Sequence, residues 1–236
     1  IRMSGRVGSI TTDIIADGLV FNMDAANRAS YPRSGATWFD TIGTNEASFN
    51  GAQFDTQIKD SILFDGTDDY LVTGNSGVSD LTKLTMECWV RINSLSSFTG
   101  MFTLFNTSGG YSGYGFNSNS STRIKFIVAY NNNGSFKHIT SDSNFTAFTW
   151  YHLVGVVDST EAYFYINGIR QTDSATYTTP SSPGNIPVTF GRFYHNINNY
   201  YGFTGRVANA RIYNRTLSAN EVLHNYNALK GRFGLP

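Results

Sequence analysis

The alternation of apolar and polar residues predicts a chain made almost entirely of β-strands. The clearest strand runs from Leu84 to Ile92, where every second residue is apolar. Its predicted core face carries Leu84, Met86, Cys88, Val90 and Ile92, and its other face carries Glu87, Trp89 and Arg91. Shorter runs of the same kind predict strands at 62–64, 70–73, 101–105, 124–130, 151–157, 162–166, 188–193 and 210–213.

Turn signals separate these runs. Asp65-Gly66, Asn133-Gly134 and Asn167-Gly168 each lie between two strand-like segments, and such pairs supply the positive φ angles that tight turns need. The third pair is the best hairpin turn, so we expect an antiparallel meander in the second half of the chain. The stretch from Gly109 to Gly115 is interpreted as a flexible, aromatic-bearing turn. Many short strands without intervening amphipathic helices favour a sandwich or jelly roll.

One helix is predicted near the end of the chain. Ser218 and Glu221 fit the capping box, a short helix follows over 218–229, and Gly231 is placed to end it. The predicted fold class is therefore all-β: an antiparallel β-sandwich jelly roll with one short C-terminal helix. We expect one such domain at 18–236, preceded by an N-terminal arm at 1–17 whose fold the pattern does not define.

Charge and composition exclude several classes of protein. The 236 residues contain 17 Lys and Arg against 17 Asp and Glu, so no basic field is present to attract nucleic acid. No run of eighteen apolar residues indicates a membrane span. The single cysteine, Cys88, excludes an intrachain disulfide, and its place on the apolar phase of a strand predicts a buried, inert thiol.

Five segments resemble one known family in their order along the chain. They are Leu19–Asp24, Phe64–Tyr70, Trp150–Val154, Tyr165–Gly168 and Gly205–Ser218. Together they resemble the laminin-G-like, concanavalin A-like jelly rolls over about residues 18 to 230. The resemblance implies two antiparallel sheets, one of them concave.

A narrower resemblance concerns the C-terminal end. Tyr213–Ser218 and Asn225–Gly234 are similar to the endings of laminin-G-like proteins encoded by tailed bacteriophages, and so is Ser30–Pro32 before Thr37–Asp40. Those relatives are virion proteins on capsids or tail fibres. This resemblance implies a virion location and capsid or tail proteins as partners.

Catalysis is not expected. Glucanases of the concanavalin A-like group carry two carboxylates two or four residues apart on a strand, which flank one glycosidic bond. The chain has four Glu, at positions 46, 87, 161 and 221, and none has an acidic residue two positions away on a recognisable strand. Glu87 is interpreted as a surface strand carboxylate paired with a neighbouring base.

The densest carboxylate cluster is Asp65, Asp68 and Asp69, and Ca²⁺ prefers such oxygen ligands. The family's calcium-binding members place Asp directly after the Gly-Arg-Ile-like step near the C-terminus, where this chain has Ala208 and then Asn209. The alternative is that these carboxylates only shape the turn and accept from nearby amides. No cofactor is expected to be required, and Ca²⁺ is the candidate ligand.

The candidate binding residues lie in the segment 193–201, where aromatic rings suit stacking on sugars and amides supply paired donors and acceptors. The residues expected to contact a ligand are Tyr194, Asn196, Asn198, Tyr200, Tyr201 and, on the non-core face of its strand, Trp89. Burial of these rings in flanking strands or against another subunit of a homo-oligomer is the competing interpretation.

Two functions follow as hypotheses. The first is a non-enzymatic bacteriophage virion surface protein, decorating the capsid or forming an adhesion module of a tail fibre that contacts a host-surface glycan. The alternative is a carbohydrate-binding module of a secreted bacterial protein. Neither requires nucleic acid or a membrane as a partner.

Overall fold

The computed structural model describes residues 14–75, 77–78, 82–106, 110–118, 120–193 and 202–236. These residues form two eight-stranded antiparallel sheets and one helix, which confirms the predicted β-sandwich with a C-terminal helix. The first sheet contains β1 (Leu19–Asp24), β4 (Gln53–Asp55), β5 (Ser61–Asp65), β7 (Leu84–Ser94), β12 (Thr149–Val157), β13 (Glu161–Ile166), β14 (Ile169–Thr176) and β16 (Thr204–Tyr213). The second contains β2 (Thr37–Phe39), β3 (Glu46–Asn50), β6 (Tyr70–Asn75), β8 (Thr99–Asn106), β9 (Ser112–Ser118), β10 (Lys125–Tyr130), β11 (Ser135–Thr140) and β15 (Pro187–Phe190).

The strand order explains how distant segments meet. The first sheet runs β14-β13-β12-β7-β16-β5-β4, with β1 paired to β16 beside β5. The second runs β11-β10-β9-β8-β15-β6-β3-β2. The long strand β16 therefore pairs with β7 along one edge, and β5 and β1 share its other edge.

The main core lies between the two sheets. It contains the predicted inner face of β7 (Leu84, Met86, Cys88, Val90 and Ile92), together with a set of aromatic side chains that includes Phe21, Phe64, Phe102, Phe116, Phe126 and Phe164. Cys88 is buried and unpaired, as expected. The alternation in β7 thus correctly identified the residues that join this core.

The glycine-rich stretch around residue 113 is a strand and not a turn. Tyr114 and Phe116 of β9 point into the main core, while Gly113 and Gly115 alternate with them. A Cβ at Gly115 would lie 2.8 Å from the Cα of Thr103, so only glycine allows β8 and β9 to approach this closely. The interpretation of the stretch as a turn was wrong for residues 112–115, because the glycines there are required by close packing and not by chain reversal. Gly110 and Tyr111 lie before the strand, and Gly109 lies outside the described residues.

The three predicted turns have different outcomes. Asn167 and Gly168 have φ angles of 52° and 79° and join β13 to β14 as a two-residue hairpin, as predicted. Asn133-Gly134 lies in a four-residue loop between β10 and β11. Asp65-Gly66 does not form a hairpin, because the strands on either side of it belong to different sheets.

The helix α1 (Ala219–Leu229) begins at the predicted capping box. The Ser218 side chain accepts from the Glu221 backbone N–H, and the Glu221 carboxylate accepts from the Ser218 N–H at 2.8 Å. Val222 and Leu229 face the outer side of the first sheet and are buried there. The helix therefore covers part of the outer face of the first sheet.

The first described residues pack on the same face. Ile14 and Ile15 contact the apolar clusters under α1, and the Ile15 N–H donates to Asn225 Oδ1 at 2.9 Å. The remainder of the predicted arm, residues 1–13, lies outside the described residues. No helix in the described part of the chain is long and apolar enough to cross a membrane.

Substitution of the hairpin glycine should destabilise the fold. Gly168 has a positive φ, and a Cβ there would lie 3.0 Å from Leu223 Cδ1 of α1. We expect Gly168→Ala to lower the free energy of unfolding by about 1 to 3 kcal/mol in urea titrations. Gly231→Ala is the matched control, because Gly231 has no neighbour within 4 Å and no positive φ. An equal effect of both substitutions would show that the turn geometry is not the cause.

Candidate functional site

The outer face of the second sheet carries a cleft that encloses about 230 Å³. We define this aromatic cleft by its lining residues: Phe98, Phe105, Tyr111, Ile127, Phe136, His138 and Phe193. They come from β8, β10 and β11 and from the segments that precede β8, precede β9 and follow β15. The strand register makes them neighbours, because β10 pairs Ile127 with His138 and Ala129 with Phe136.

The floor of the aromatic cleft is apolar and closed to water. Phe105, Ile127, Ala129 and Phe193 form a buried cluster separate from the main core, and each is at most 7% exposed. The rings of Phe105 and Phe193 have centroids 5.1 Å apart. The base of the cleft is therefore apolar.

The walls of the cleft are exposed aromatic rings. Phe98, Tyr111 and Phe136 are 44%, 37% and 39% exposed. Tyr111 meets Phe136 edge to face with centroids 4.6 Å apart, and Phe136 stands at 90° to the His138 ring. Such upright rings offer both faces and edges to a ligand.

His138 is the one strongly polar side chain in the lining. Its Nδ1 is buried and has no hydrogen-bond partner within the described part of the chain. Burial, together with the positive charge of Lys125, lowers the pKa of His138 to about 4. The imidazole is therefore neutral at pH 7, with one nitrogen able to donate and the other able to accept.

Described residues on either side of the predicted binding segment meet near this cleft. Phe193 belongs to the lining, and the preceding Arg192 forms a β-bridge with Gly202. The candidate residues within it lie outside the described residues: Tyr194, Asn196, Asn198, Tyr200 and Tyr201. Their role in binding stays a prediction.

Trp89 is not available to a ligand, which corrects our expectation for this residue. It is 0% exposed beneath α1 and the C-terminal segment, and its ring stacks on Phe233 with centroids 4.1 Å apart. Trp150 and Leu229 complete this cluster. The non-core face of β7 is buried because the C-terminal part of the chain folds back over it.

Glu87 lies on the same covered face and is also fully buried, not at the surface as expected. Its Oε1 lies 2.7 Å from Arg211 Nη1 and 3.3 Å from His152 Nε2. Its Oε2 accepts from Asn225 Nδ2 of α1 at 2.6 Å. This carboxylate is a structural anchor for the helix, and no substrate reaches it in this arrangement.

The environment of Glu87 favours its ionised form. Burial alone would raise the pKa of Glu87, but the charge of Arg211, the His152 imidazole 3.3 Å away and the hydrogen bond from Asn225 outweigh it and lower the pKa to about 2. Arg211 also donates to Asn22 Oδ1, and Asp24 lies 3.8 Å away. The ion pair thus joins β1, β7, β16 and α1.

The predicted calcium ligands are close together in the connection from β5 to β6. Asp65, Asp68 and Asp69 have carboxylate oxygens within 4.8 Å of one another. Asp69 Oδ2 accepts from the Asp65 N–H, and Asp65 Oδ1 accepts from the Thr67 N–H. Burial and then the two neighbouring carboxylates raise the pKa of Asp69, while its hydrogen bond opposes them. The donor set suits Ca²⁺, although two of its oxygens already hold the turn, so calcium binding stays a prediction.

Most residues of the aromatic cleft were not predicted from the sequence. A signal was present in β10, where the apolar residues Ile127 and Ala129 occupy the expected polar positions that alternate with the core residues Phe126 and Val128. An apolar residue on both faces of a strand indicates that both faces are covered. The partners that line the cleft cannot be inferred without the strand register.

The two sheets and their antiparallel pairing define a protein of the lectin-like β-sandwich class. The chain belongs to the laminin G-like family described as the concanavalin A-like lectin/glucanases superfamily, whose model matches residues 65–223. No curated protein sequence matches the chain.

Solved structures share the fold at low sequence identity. A Trypanosoma rangeli sialidase in complex with sialic acid matches with a TM-score of 0.69 and 15% identity over 91% of this chain and 33% of the sialidase. Domain 4 of AbnA, an extracellular arabinanase from Geobacillus stearothermophilus in complex with arabinotriose, has a TM-score of 0.65 and 18% identity over 88% of this chain and 98% of that domain. The binding domain of botulinum neurotoxin DC in complex with SialylT has a TM-score of 0.65 and 16% identity over 94% of this chain and 52% of that chain. The chain spans about a third of the sialidases' length.

Removal of the Glu87 charge should destabilise the protein. We expect Glu87→Gln to lower the free energy of unfolding by roughly 3 kcal/mol at pH 7, because it removes the nearest carboxylate from the buried Arg211 charge and leaves only Asp24 at 3.8 Å. Glu161→Gln is the control, since Glu161 pairs with Arg170 at the surface at 2.9 Å and should change stability by less than about 1 kcal/mol.

The effect of Glu87→Gln should depend on pH. The pKa of Glu87 is about 2 in the folded protein against an ordinary value of 4.5, so its stabilisation is present above pH 4.5 and is lost as the pH falls towards 2. The stability difference between wild type and Glu87→Gln should narrow over this range in urea titrations at successive pH values. A constant difference would contradict the ion-pair role.

Proposed function

We propose that this domain is a non-enzymatic glycan-binding module and that the aromatic cleft is its binding surface. The observation that carries the proposal is the grouping of exposed aromatic rings. Seven large apolar side chains are exposed in the described part of the chain, and three of them line this one cleft. Exposed apolar side chains are ordinarily scattered, whereas a contiguous patch marks an interaction site.

The composition of the cleft supports a sugar as the ligand. Small-molecule sites are mostly apolar with a few polar groups that orient the ligand, and they enclose roughly 300–1,000 Å³ for drug-sized molecules. The aromatic cleft is smaller, at about 230 Å³, and combines aromatic walls with one neutral imidazole. This size and composition suit one sugar residue at the end of a glycan.

The structural relatives supply a second line of support. Domain 4 of AbnA is matched over almost its whole length, and its structure contains arabinotriose. A sandwich of this size therefore has a precedent as a separate domain in complex with an oligosaccharide. The proposal of a non-catalytic role rests on Glu87, whose carboxylate is enclosed by Arg211 and Asn225.

The finer proposal is that the module is displayed on a bacteriophage virion, bound to capsid or tail proteins, where it contacts a host-surface glycan. It is supported by the phage-like C-terminal sequence. The same segment has a packing role here, because Arg232 binds Asp24 at 2.9 Å and Phe233 stacks on Trp89. The alternative setting is a secreted bacterial protein with the same glycan-binding surface.

Truncation of the cleft walls tests the proposed function. We expect Tyr111→Ala and Phe136→Ala each to weaken binding to a responding glycan by about tenfold or more, because both remove a stacking ring. Binding would be measured on a broad glycan panel and then by titration. Thermal unfolding of each variant checks that the fold is intact.

Phe148→Ala provides the control for these variants. Phe148 is 63% exposed and packs under Arg91, outside the cleft. Its loss should leave glycan affinity unchanged. If all three substitutions weakened glycan binding equally, or if the wild type bound no glycan of the panel, the proposed surface would be contradicted. A variant with alanine at Tyr194, Tyr200 and Tyr201 tests the adjoining segment in the same assay.

Calcium removal should not affect binding at the cleft. None of the cleft-lining residues carries a carboxylate, so we expect the same glycan affinity with Ca²⁺ present and after chelation. Any Ca²⁺ bound at Asp65, Asp68 and Asp69 should instead raise the unfolding temperature, and Asp68→Asn should reduce that rise. Loss of glycan binding on chelation would assign binding to the carboxylate cluster.

The virion location has its own test. Mass spectrometry of purified phage particles should detect peptides of this chain in proportion to known capsid or tail proteins. Absence of the chain from purified particles would contradict the virion role and leave the glycan-binding proposal standing.

A further inference from the structure

We propose that the aromatic cleft selects an uncharged sugar through an apolar substituent, the methyl group of an N-acetyl or 6-deoxy sugar, which enters the cleft against its buried floor. This inference rests on the proposed function and specifies the ligand of the same site. Its basis is the combination of a closed apolar floor, upright aromatic walls and one unpartnered imidazole nitrogen.

The apolar floor of the aromatic cleft restricts which part of a sugar can pack against it. Its side chains, from Phe105, Ile127, Ala129 and Phe193, are all apolar, so the floor offers no side-chain hydrogen-bond partner. A sugar hydroxyl placed against it would lose its hydrogen bonds to water without replacement, which is unfavourable. A methyl group there removes apolar surface from water at no such cost.

The aromatic walls restrict the shape of the substituent that can enter the cleft. Tyr111 and Phe136 meet at an interplanar angle of 65°, and Phe136 and His138 at 90°. Rings that touch at these angles form a concave corner above the floor and not a flat platform. A methyl or acetamido group fits such a corner, while the sugar ring that carries it packs against the exposed parts of the aromatic walls.

The charge of the site disfavours an acidic sugar. The seven lining residues comprise five aromatic side chains, one isoleucine and His138, which is neutral at pH 7. A carboxylate in the cleft would therefore be desolvated without a counter-charge among the lining residues. Lys125 precedes Ile127 on the same face of β10, but it is not part of the lining.

His138 supplies the orienting hydrogen bond. Its buried Nδ1 has no partner within the described residues, and a buried polar atom left unbonded is unfavourable. An acetamide offers both an N–H and a C=O, and a sugar hydroxyl offers the same two functions, so either substituent can bond this nitrogen once the imidazole ring turns to bring it into the cleft. The imidazole thus acts with the walls to fix the orientation of the bound sugar.

The test compares sugars that differ by one group. Methyl N-acetylglucosaminide and methyl 6-deoxyglucoside are titrated beside methyl glucoside, their hydroxylated counterpart, and methyl N-acetylneuraminide, an acidic N-acetyl sugar. Affinities are measured by chemical-shift titration of the protein, and saturation-transfer NMR reports which ligand protons touch it. We expect the two methyl-bearing neutral sugars to bind about tenfold or more tightly than methyl glucoside, with the largest transfer to the methyl protons.

Variants of His138 add a second readout. His138→Leu should reduce affinity for the N-acetyl sugar, and His138→Gln, which can still donate and accept, should retain more of it. Phe148→Ala should not change the order of preference. Unfolding temperatures of the variants show whether any loss comes from the fold.

The outcomes separate this inference from the proposed function. Binding of methyl glucoside as tight as that of the methyl-bearing sugars, or tightest binding of the acidic sugar, would overturn the inference and leave a glycan-binding module. Binding of a panel glycan but of none of the four sugars at millimolar concentration would overturn the inference alone. Binding of neither the four sugars nor any glycan of the panel would overturn the proposed function as well.

Discussion

The buried ion pair between Glu87 and Arg211 determines how the first sheet is closed. The two residues face each other in register across β7 and β16, and both are fully buried. Asn225 extends the network to α1, and Asp24 links it to Arg232 of the C-terminal segment. Two charges removed from water in this way stabilise the fold only while they remain paired and hydrogen-bonded. This network therefore holds α1, the C-terminal segment and the first sheet in one arrangement.

This closure gives the sandwich two unlike outer faces. The first sheet is covered by α1 and by Phe233, which lies on Trp89. The second sheet keeps exposed aromatic rings around the aromatic cleft. Because the C-terminal part of the chain packs on one face alone, the other face of the same fold is available for recognition. The fold itself is shared by binding domains and enzymes, so it is the surface that carries the functional proposal.

Much of the fold was predictable from local pattern. Alternation identified β7 and its core residues, the Asn167-Gly168 pair identified the hairpin, and Ser218 with Glu221 identified the start of α1. These features depend on side-chain period and backbone conformation over a few residues. Strand β9 was not predicted, because its glycines were interpreted as turn residues. They are required by the close approach of β8.

The candidate site was less predictable, for physical reasons. Trp89 and Glu87 were assigned correctly to one face of β7, but the burial of that face depends on residues more than a hundred positions away in the chain. The aromatic cleft likewise unites Phe98, Phe136 and Phe193 only through sheet register. A single strand shows which side chains share a face. It does not show what covers that face or which distant side chains meet on it.

The most direct test of the central claim is a map of backbone amide shifts when the ¹⁵N-labelled domain is titrated with methyl N-acetylglucosaminide. If the outer face of the second sheet is the binding surface, the shifted amides will cluster around Phe105, Tyr111, Ile127, Phe136 and Phe193, and those of α1 will stay unchanged. Shifts confined to α1 or to the Asp65–Asp69 connection, or no shifts at all, would contradict it.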